Sequence, residues 1–262
     1  MNVSDRPLWL VFLGTVFLIV LAIEIGYQVG KAVRRRSAEE KESPVSAITG
    51  TVLALLAFML AFTFGIVSDR YDARKALVRE QAITISTSYA RTDFLPQPDR
   101  DEAQELFRTY MDTLLAAAEP ENSDRLPALV AQMNDIVGQL WDMGVEHAQP
   151  APESEMLALY IDSLNSVGDV QALREAVAVQ ARLPEGIWIA LSALIVVAMM
   201  AVGYQTAIAK SSRSWVLLLL ALSFSTVVTI IAVLDNPESG YLPVSQQPLI
   251  DVQASMTEEP SP

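Results

Sequence analysis

Residues 54–80 read ALLAFMLAFTFGIVSDRYDARKALVRE, and their composition changes abruptly halfway along. Its first half, up to Ser68, is apolar enough for a lipid bilayer, whereas its second half, from Asp69 onward, is as charged as a soluble helix. No proline separates the two halves. An uninterrupted helix from Ser46 to Arg91 would be on the order of 70 Å long. The stretch therefore predicts a single helix that leaves a membrane and continues into water.

Apolar residues lie in four blocks, each close to the length of about 20 residues that a helix needs to cross a bilayer. The blocks span residues 8–29, 45–68, 186–209 and 215–234. The first block is longer than the apolar core of a usual signal peptide and no small-x-small cleavage site follows it, so we expect a retained helix. These features predict an all-α integral membrane protein with four transmembrane helices and a helical soluble insert between the second and third.

The predicted domains follow from these blocks. Residues 1–68 carry the first two membrane helices, 69–183 form a soluble helical domain continuous with the second, 184–234 carry the last two, and 235–262 form a polar tail. Within the insert, apolar residues recur at helical spacing over 99–118, 126–141 and 153–181, without strand-like alternation. Asp99, with Glu102 three residues later, predicts a helix-capping box. A further stripe is expected to pack on this bundle and consists of Tyr71, Val78, Ala82, Ile85 and Tyr89.

The composition excludes several classes of chemistry. The chain has no cysteine and one histidine, which rules out disulfides, thiolate chemistry and a His-cluster metal site. His147 is expected at the protein surface near a helix end. No phosphate-binding loop, HExxH motif or nucleophile elbow occurs. We therefore expect no enzyme activity, no cofactor and no metal, and the net charge of −13 opposes nucleic-acid binding.

Basic residues give a first prediction of membrane orientation. They concentrate in the two short loops between apolar blocks, as Lys31, Arg34, Arg35, Arg36, Lys41, Lys210 and Arg213. The positive-inside rule then places these loops in the cytoplasm, and both termini and the insert outside a bacterial inner membrane. A second basic group close to the end of the second block favours the opposite orientation; it consists of Arg70, Arg74, Lys75 and Arg79.

Small residues form one face of the second membrane helix. Seven residues all lie within roughly 40° of one face of the helix: Gly50, Ala54, Ala57, Ala61, Gly65, Ser68 and Asp72. We call Ala54, Ala57, Ala61 and Gly65 the small-residue face. In lipid, such a face lets another helix approach closely, either within the subunit or between subunits. The alternative is that it lines a central pathway in an oligomer, where the flanking Phe58 and Phe62 would form an apolar constriction that gates by dewetting.

Two sets of charged residues are further candidates. Asp69, Arg70 and Asp72 lie where the second helix leaves the bilayer, either as solvated boundary charges or as a ring of charge at a pore mouth. Glu24 is an ionisable residue inside the first block, so it is a functional candidate; the alternative is an interfacial glutamate paired with Gln28 or Lys31.

Four stretches of the sequence together resemble the bacterial bestrophin-like domain family. They are LAFMLAFTFGIVSDRYDARKALVREQAITISTSYARTDFLPQP, ARLPEGIWIALSAL, VGYQTAI and VLDNPESGYLPVSQQPLIDV. The resemblance implies a relation to bestrophins, ion channels built as pentamers around one axis, in which the second membrane helix lines an apolar neck. Phe58 and Phe62 occupy the corresponding region here. The resemblance also implies cytoplasmic termini and insert, opposite to the orientation predicted from the loop charges. LDNP lacks the arginine of the LDLDRP pattern typical of the family.

The leading hypothesis is an oligomeric, bestrophin-like protein that conducts ions passively, with the second membrane helix nearest the axis. Residues 69–183 carry 20 acidic and 10 basic side chains, a net charge of −10, which would slightly favour cations. The partners expected are the lipid bilayer, further copies of the chain and inorganic ions. The alternative is a non-conducting membrane scaffold or sensor whose helical insert binds a partner.

Overall fold

The structure, a computed structural model, describes residues 7–36, 42–180, 182–211, 215–236 and 242–257. Regular structure in these ranges is helical throughout, as predicted, with no strand among them. Their α-helices are α1 (Leu8–Arg36), α2 (Glu42–Arg91), α3 (Asp99–Ala117), α4 (Leu126–Ala148), α5 (Glu155–Gln180), α6 (Glu185–Ile208), α7 (Val216–Asp235) and α8 (Gln247–Thr257). Short 3₁₀ turns follow α2 and α3.

The first compact unit comprises Met1–Tyr71 and Ala181–Leu242 and contains α1, the first part of α2, α6 and α7. Each of these four helices is long and apolar enough to cross a membrane, which agrees with the four predicted spans. Their shared core includes Ile19, Leu56, Leu191, Met199 and Ile231, all nearly or fully buried. The bundle of apolar helices has a buried core and an apolar outer surface, as expected of a membrane protein.

Glycines bring α1 and α6 into backbone contact. A Cβ atom added at Gly26 would lie 2.0 Å from the carbonyl oxygen of Met200, and one at Gly203 would lie 1.9 Å from that of Ile23. At Gly30, one turn after Gly26, an added Cβ would lie 2.8 Å from the carbonyl oxygen of Tyr204. Since real Cβ atoms do not approach other atoms so closely, only glycine fits at these crossings.

Helix α1 is longer than the sequence predicts. The first apolar block ends near Val29, but the helix continues through the basic residues to Arg36. The Nη1 atom of Arg34 donates a hydrogen bond of 2.7 Å to the carbonyl oxygen of Ala207, in the last turn of α6. The same carbonyl also accepts from the Lys210 N–H over 3.3 Å, so the guanidinium adds a charge-assisted bond at the end of α6 and gives the basic extension a structural role.

Helix α2 is continuous over 50 residues, as the opening stretch predicts. At 1.5 Å per residue it is about 75 Å long. Its residues up to Tyr71 belong to the first unit and those from Asp72 to the second. Leu56, Leu60 and Val67 are buried in the first core, and Val78, Ala82 and Ile85 are buried in the second, as predicted for the latter three.

The second compact unit comprises Asp72–Gln180 and Pro243–Pro262. It is a bundle of the second part of α2 with α3, α4, α5 and α8, around a core that includes Phe107, Tyr110, Tyr160 and Leu164. Helix α8 lies in the segment expected as a polar tail. Leu249 and Met256 bury its inner face, and Arg108 Nε donates a 3.2 Å hydrogen bond to the Met256 carbonyl.

The capping box predicted at Asp99 is wrong. Helix α3 begins at Asp99 itself, directly after Pro98, and no side chain caps its first turn. The Asp99 carboxylate is bound elsewhere, because His147 Nε2 lies 2.5 Å from its Oδ2 atom. His147, expected at the surface, is half-buried in this pair, which joins the start of α3 to the end of α4.

Candidate functional site: the outward face of helix α2

The small-residue face of α2 is left uncovered by its own chain. Ala54, Ala57 and Ala61 are exposed, and an added Cβ at Gly65, which is half-buried, would meet nothing within 4 Å. The opposite side of α2 packs into the core of the first unit through Leu56, Leu60, Thr63 and Val67. The side chains that α2 turns outward are therefore the small ones, and no helix of the described residues packs on them.

Phe58 and Phe62 lie beside this face and are also exposed. Their side chains are 65% and 58% exposed, and their rings stack with centroids 6.4 Å apart and planes inclined by 16°. Phe64, on the other side, is exposed to a smaller extent. One turn of α2 thus presents a pair of stacked rings outward, in a part of the helix that spans the apolar block.

An apolar groove of about 470 Å³ adjoins the small-residue face. Ala57, Ala61 and Phe64 of α2 form one wall, and Phe224 and Val227 of α7 form the other. Both walls belong to the first unit. In a bilayer an open apolar groove is covered by lipid or by another helix, so the outward side of α2 and α7 is a contact surface for one of these.

The three charged residues at the end of the apolar part of α2 point in different directions. Asp69 is exposed, and Asp72 is exposed with the Lys75 ammonium 3.4 Å from its carboxylate, one helical turn away. The Arg70 guanidinium instead lies 4.0 Å from the carboxylate of Asp235. Within one chain the two acidic residues are therefore solvated, while Arg70 takes part in an internal contact.

Asp235, at the last position of α7, is a buried carboxylate that the sequence did not single out. Only 1% of its side chain is exposed. The backbone N–H of Leu183 donates to Oδ1 over 2.6 Å, and the Trp188 indole Nε1 donates to Oδ2 over 3.2 Å. This carboxylate joins the end of α7 to the start of α6. The sequence signal that could have identified it is an acidic residue directly after an apolar block, in the LDNP stretch.

Glu24 is half-buried in α1 and has a local partner. The Gln28 Nε2 atom, one turn later, donates a 2.6 Å hydrogen bond to Glu24 Oε1. Gln28 is one of the two partners expected from the sequence. Among the described residues, no group of three or more Asp, Glu, His or Cys side chains is arranged to hold a metal ion.

Comparisons with known proteins agree with this architecture. Residues 16–249 match the family model of the Bestrophin-like domain. The fold is similar to crystal structures of a bacterial bestrophin homolog from Klebsiella pneumoniae. A tryptophan-to-alanine variant of that homolog has a TM-score of 0.63 and 14% identity, covering 93% of this chain and 97% of its own.

Two further variants of that homolog give similar values. For an aspartate-to-alanine variant the TM-score is 0.64 and the identity 12%, covering 94% of this chain and 96% of that one. For a tyrosine-to-alanine variant the TM-score is 0.59 and the identity 15%, covering 93% of this chain and 98% of that one. No curated protein matches the sequence. Because the family model covers residues 16–249 of the 262, this protein belongs to the Bestrophin-like domain family.

Proposed function

We propose that the protein is a bestrophin-type ion channel, in which several copies surround an axis and α2 lies nearest to it. The observation that carries the proposal is the outward face of α2, where small residues and two exposed phenylalanines project away from the core of their own chain. Family membership and the likeness of the fold to a bestrophin homolog support the same function. The resemblance to bestrophins implies five copies.

The chemistry of this face fits a narrow, apolar ion path. Small side chains at Ala54, Ala57 and Ala61 allow neighbouring helices to approach closely around an axis. Repeated by symmetry, Phe58 and Phe62 would form rings of apolar side chains, and such constrictions control ion flow by excluding water. The buried side of α2 packs firmly into its own unit, which would hold these rings in place.

Charge supplies a weak preference among ions. The exposed carboxylates of Asp69 and Asp72 would be repeated around the axis at the mouth of the path. Residues 69–183 add a net charge of −10, and a surface of one sign concentrates ions of the other. The channel is therefore proposed to favour cations slightly.

The proposed location is the bacterial inner membrane, with termini and insert outside, as the basic loops indicate. A reporter fused to the carboxyl terminus that is active only in the cytoplasm would contradict this orientation and would agree with the one implied by bestrophins.

The channel proposal is tested by oligomeric state and by ion flux. The purified protein is expected to be an oligomer, and liposomes containing it to pass ions at a rate that Phe62→Ala changes. Phe17→Ala is the matched control, since Phe17 is a similarly exposed phenylalanine, 68%, on a different helix, α1. A strictly monomeric protein, or negligible flux for wild type and both variants, would contradict the channel and favour the scaffold or sensor.

A further inference from the structure

The helical unit formed by Asp72–Gln180 contains a cavity of about 430 Å³ between α2, α3, α4 and α5. This volume lies in the range of small-molecule sites, roughly 300–1,000 Å³. Most of the wall is apolar and includes Leu114, Leu126, Val130 and Met133. Polar side chains meet on one side and are Gln81, Gln171, Arg174 and Glu175. An apolar cavity with a few convergent polar groups is the usual form of a ligand site.

A hydrogen-bond network fixes part of the polar side. Tyr110 Oη donates to Gln171 Oε1 over 2.6 Å. Gln171 Nε2 in turn donates to Asn134 Oδ1 over 3.0 Å and to Glu175 Oε1 over 3.2 Å. These bonds occupy the amide of Gln171 and draw the Glu175 carboxylate toward it. Burial raises the pKa of Tyr110 to about 12, so its hydroxyl stays a neutral donor in this network.

Among the described residues that line this cavity Arg174 is the one cation, and no described carboxylate lies within 4.0 Å of it. Its Nη1 atom donates to the neutral Gln81 Oε1. None of the ion pairs within 4.0 Å among the described residues includes Arg174. Burial also lowers the pKa of Arg174, because the charged form is poorly solvated there. Charges withdrawn from water in proteins are normally paired, and this half-buried guanidinium has no ion-pair partner among the described residues.

Gln81 adds a second polar group to the same wall. Its side chain is fully buried, and its amide nitrogen makes no hydrogen bond of ordinary geometry among the described residues. The nearby Tyr110 hydroxyl donates to Gln171 and is close enough to Gln81 to accept weakly from its amide. A ligand oxygen placed beside Arg174 would therefore gain charge-assisted bonds from the guanidinium fork, with the Gln81 amide next to it.

We propose that this cavity binds a small organic monocarboxylate with an apolar body. The carboxylate would pair with Arg174, and the hydrocarbon or aromatic part would lie among Leu114, Leu126, Val130 and Met133. The single guanidinium offers one fork for one carboxylate, and the Glu175 carboxylate in the same wall opposes any further negative charge, which disfavours a dianion such as phosphate. The largely apolar wall matches a carbon skeleton and excludes a hydrated inorganic anion. None of the residues that line this cavity is among those assigned to the ion path.

The test is the binding of 4-fluorophenylacetate to the full-length protein in lipid nanodiscs, measured by fluorine NMR against empty nanodiscs. 4-Fluorophenylacetamide is the uncharged control probe of nearly the same shape. We expect saturable binding of the carboxylate and at least about tenfold weaker binding of the amide, since a hydrogen bond to a charged group is roughly twice as strong as a neutral one. The carboxylate alone is also expected to raise the melting temperature, because it binds only the folded protein.

Three variants test whether the probe binds in this cavity. Arg174→Met is expected to weaken carboxylate binding at least about tenfold, because it removes the charged partner. Arg100→Met is the matched control, since Arg100 contacts Leu95 and Asp93 elsewhere in the same unit. Ala118→Trp fills the cavity and is expected to abolish binding of both probes.

Three results would overturn the proposal: no saturable binding of 4-fluorophenylacetate to the wild type, equal binding of the acid and the amide, or unchanged binding to Arg174→Met. Should Arg174→Met not fold, Arg174→Lys keeps the charge without the planar fork. The lysine variant is then expected to bind the acid more weakly than wild type, and equal binding would overturn the role of the fork.

Discussion

At the scale of single residues, the closest contacts in the membrane unit are between backbones. Gly26 of α1 lies against Met200 of α6, and Gly203 of α6 lies against Ile23 of α1. In lipid, apolar side chains gain little by leaving their surroundings, so helices associate through close packing instead. The glycine pair therefore gives α1 and α6 a contact that no larger residue can replace.

Gly26→Ala is predicted to destabilise the protein, by about 1–3 kcal/mol, the usual effect of forcing an extra methyl group into a packed contact. Gly14→Ala, on the same helix, is the control, because a Cβ there meets nothing within 4 Å. Thermal unfolding in detergent compares the two. Equal melting temperatures for both variants would show that α1 and α6 do not depend on this approach.

Asp235→Asn is predicted to lower the free energy of unfolding by about 1–3 kcal/mol. An asparagine keeps one oxygen, so its amide group must replace one of the two buried acceptors used by Leu183 N–H and the Trp188 indole. Asp69→Asn, at an exposed position, is the control and is expected to change stability little. The measurement is thermal unfolding, and a neutral Asp235→Asn would contradict the structural role of this carboxylate.

Tyr110 makes the stability of the helical unit depend on alkaline pH. Burial raises the pKa of its hydroxyl in the folded state to about 12, from an ordinary value near 10. Between these values the folded state holds the proton more tightly than the unfolded state, so stability present below about pH 10 falls as pH rises toward 12. Burial also raises the pKa of Tyr160, which acts in the same direction.

Tyr110→Phe is therefore predicted to show a shallower loss of stability from about pH 10 to 12. At neutral pH it loses only the hydrogen bond to Gln171, an effect of about 1 kcal/mol. Chemical unfolding at a series of pH values measures both effects. An alkaline profile equal to that of wild type would contradict the raised pKa.

The sequence predicts which residues permit close approach, but not which helix uses them. The small-residue face of α2 has a regular pattern along the whole span, whereas the contact within the chain is made by Gly26 and Gly30 of α1. These two glycines form a GxxxG spacing in the stretch GYQVG, a signal that was present in the sequence. The sequence does not say that α6 is the partner of these glycines, because the choice of partner depends on tertiary packing.

At the scale of elements, α2 was the most predictable helix. No proline lies between Val45 and Arg91, and its apolar stripe continues past the charged boundary, so its continuity followed from local rules. The end of α1 was less predictable, because hydropathy marks where the apolar residues end and not where the helix ends. The extension to Arg36 depends on the contact of Arg34 with α6, which lies far away in sequence.

Helix α8 was not predicted, since it has only 11 residues and two buried positions, too few for a clear helical pattern. Its place in the bundle depends on partners in α2 and α3. Tyr89 Oη and Arg108 Nε both donate to the Met256 carbonyl, over 3.3 Å and 3.2 Å. A short amphipathic helix of this kind is stabilised by docking rather than by its own propensity.

Leu249→Ala is predicted to destabilise the helical unit by about 2–5 kcal/mol, the range for truncating a buried leucine. Ile250→Ala, on the same helix, is the matched control because Ile250 is exposed, and its effect is expected within about 0.5 kcal/mol. Hydrogen exchange of α3 and α8 amides measures the local opening. Similar exchange in the two variants would contradict the docking of α8 through Leu249.

At the scale of the whole molecule, two helical units share one long helix, and the membrane unit leaves one side of that helix bare. Four spans and an all-helical insert were predictable from block lengths and periodicity, because both follow from bilayer thickness and helix geometry. The role of the outward side of α2 could not be predicted from the sequence, since small residues fit a packed interface and a pore lining equally well. The structure shows that this side is free in one chain.

Chemical block at Phe62 tests whether α2 lines an ion path. The chain has no native cysteine, so Phe62→Cys introduces a single reactive thiol. A positively charged thiol reagent is predicted to reduce ion flux through liposome-reconstituted Phe62→Cys strongly. The same reagent should leave wild type and Ile189→Cys, an exposed position on α6, unchanged. Complete labelling of Phe62→Cys with unaltered flux would show that Phe62 does not face an ion path.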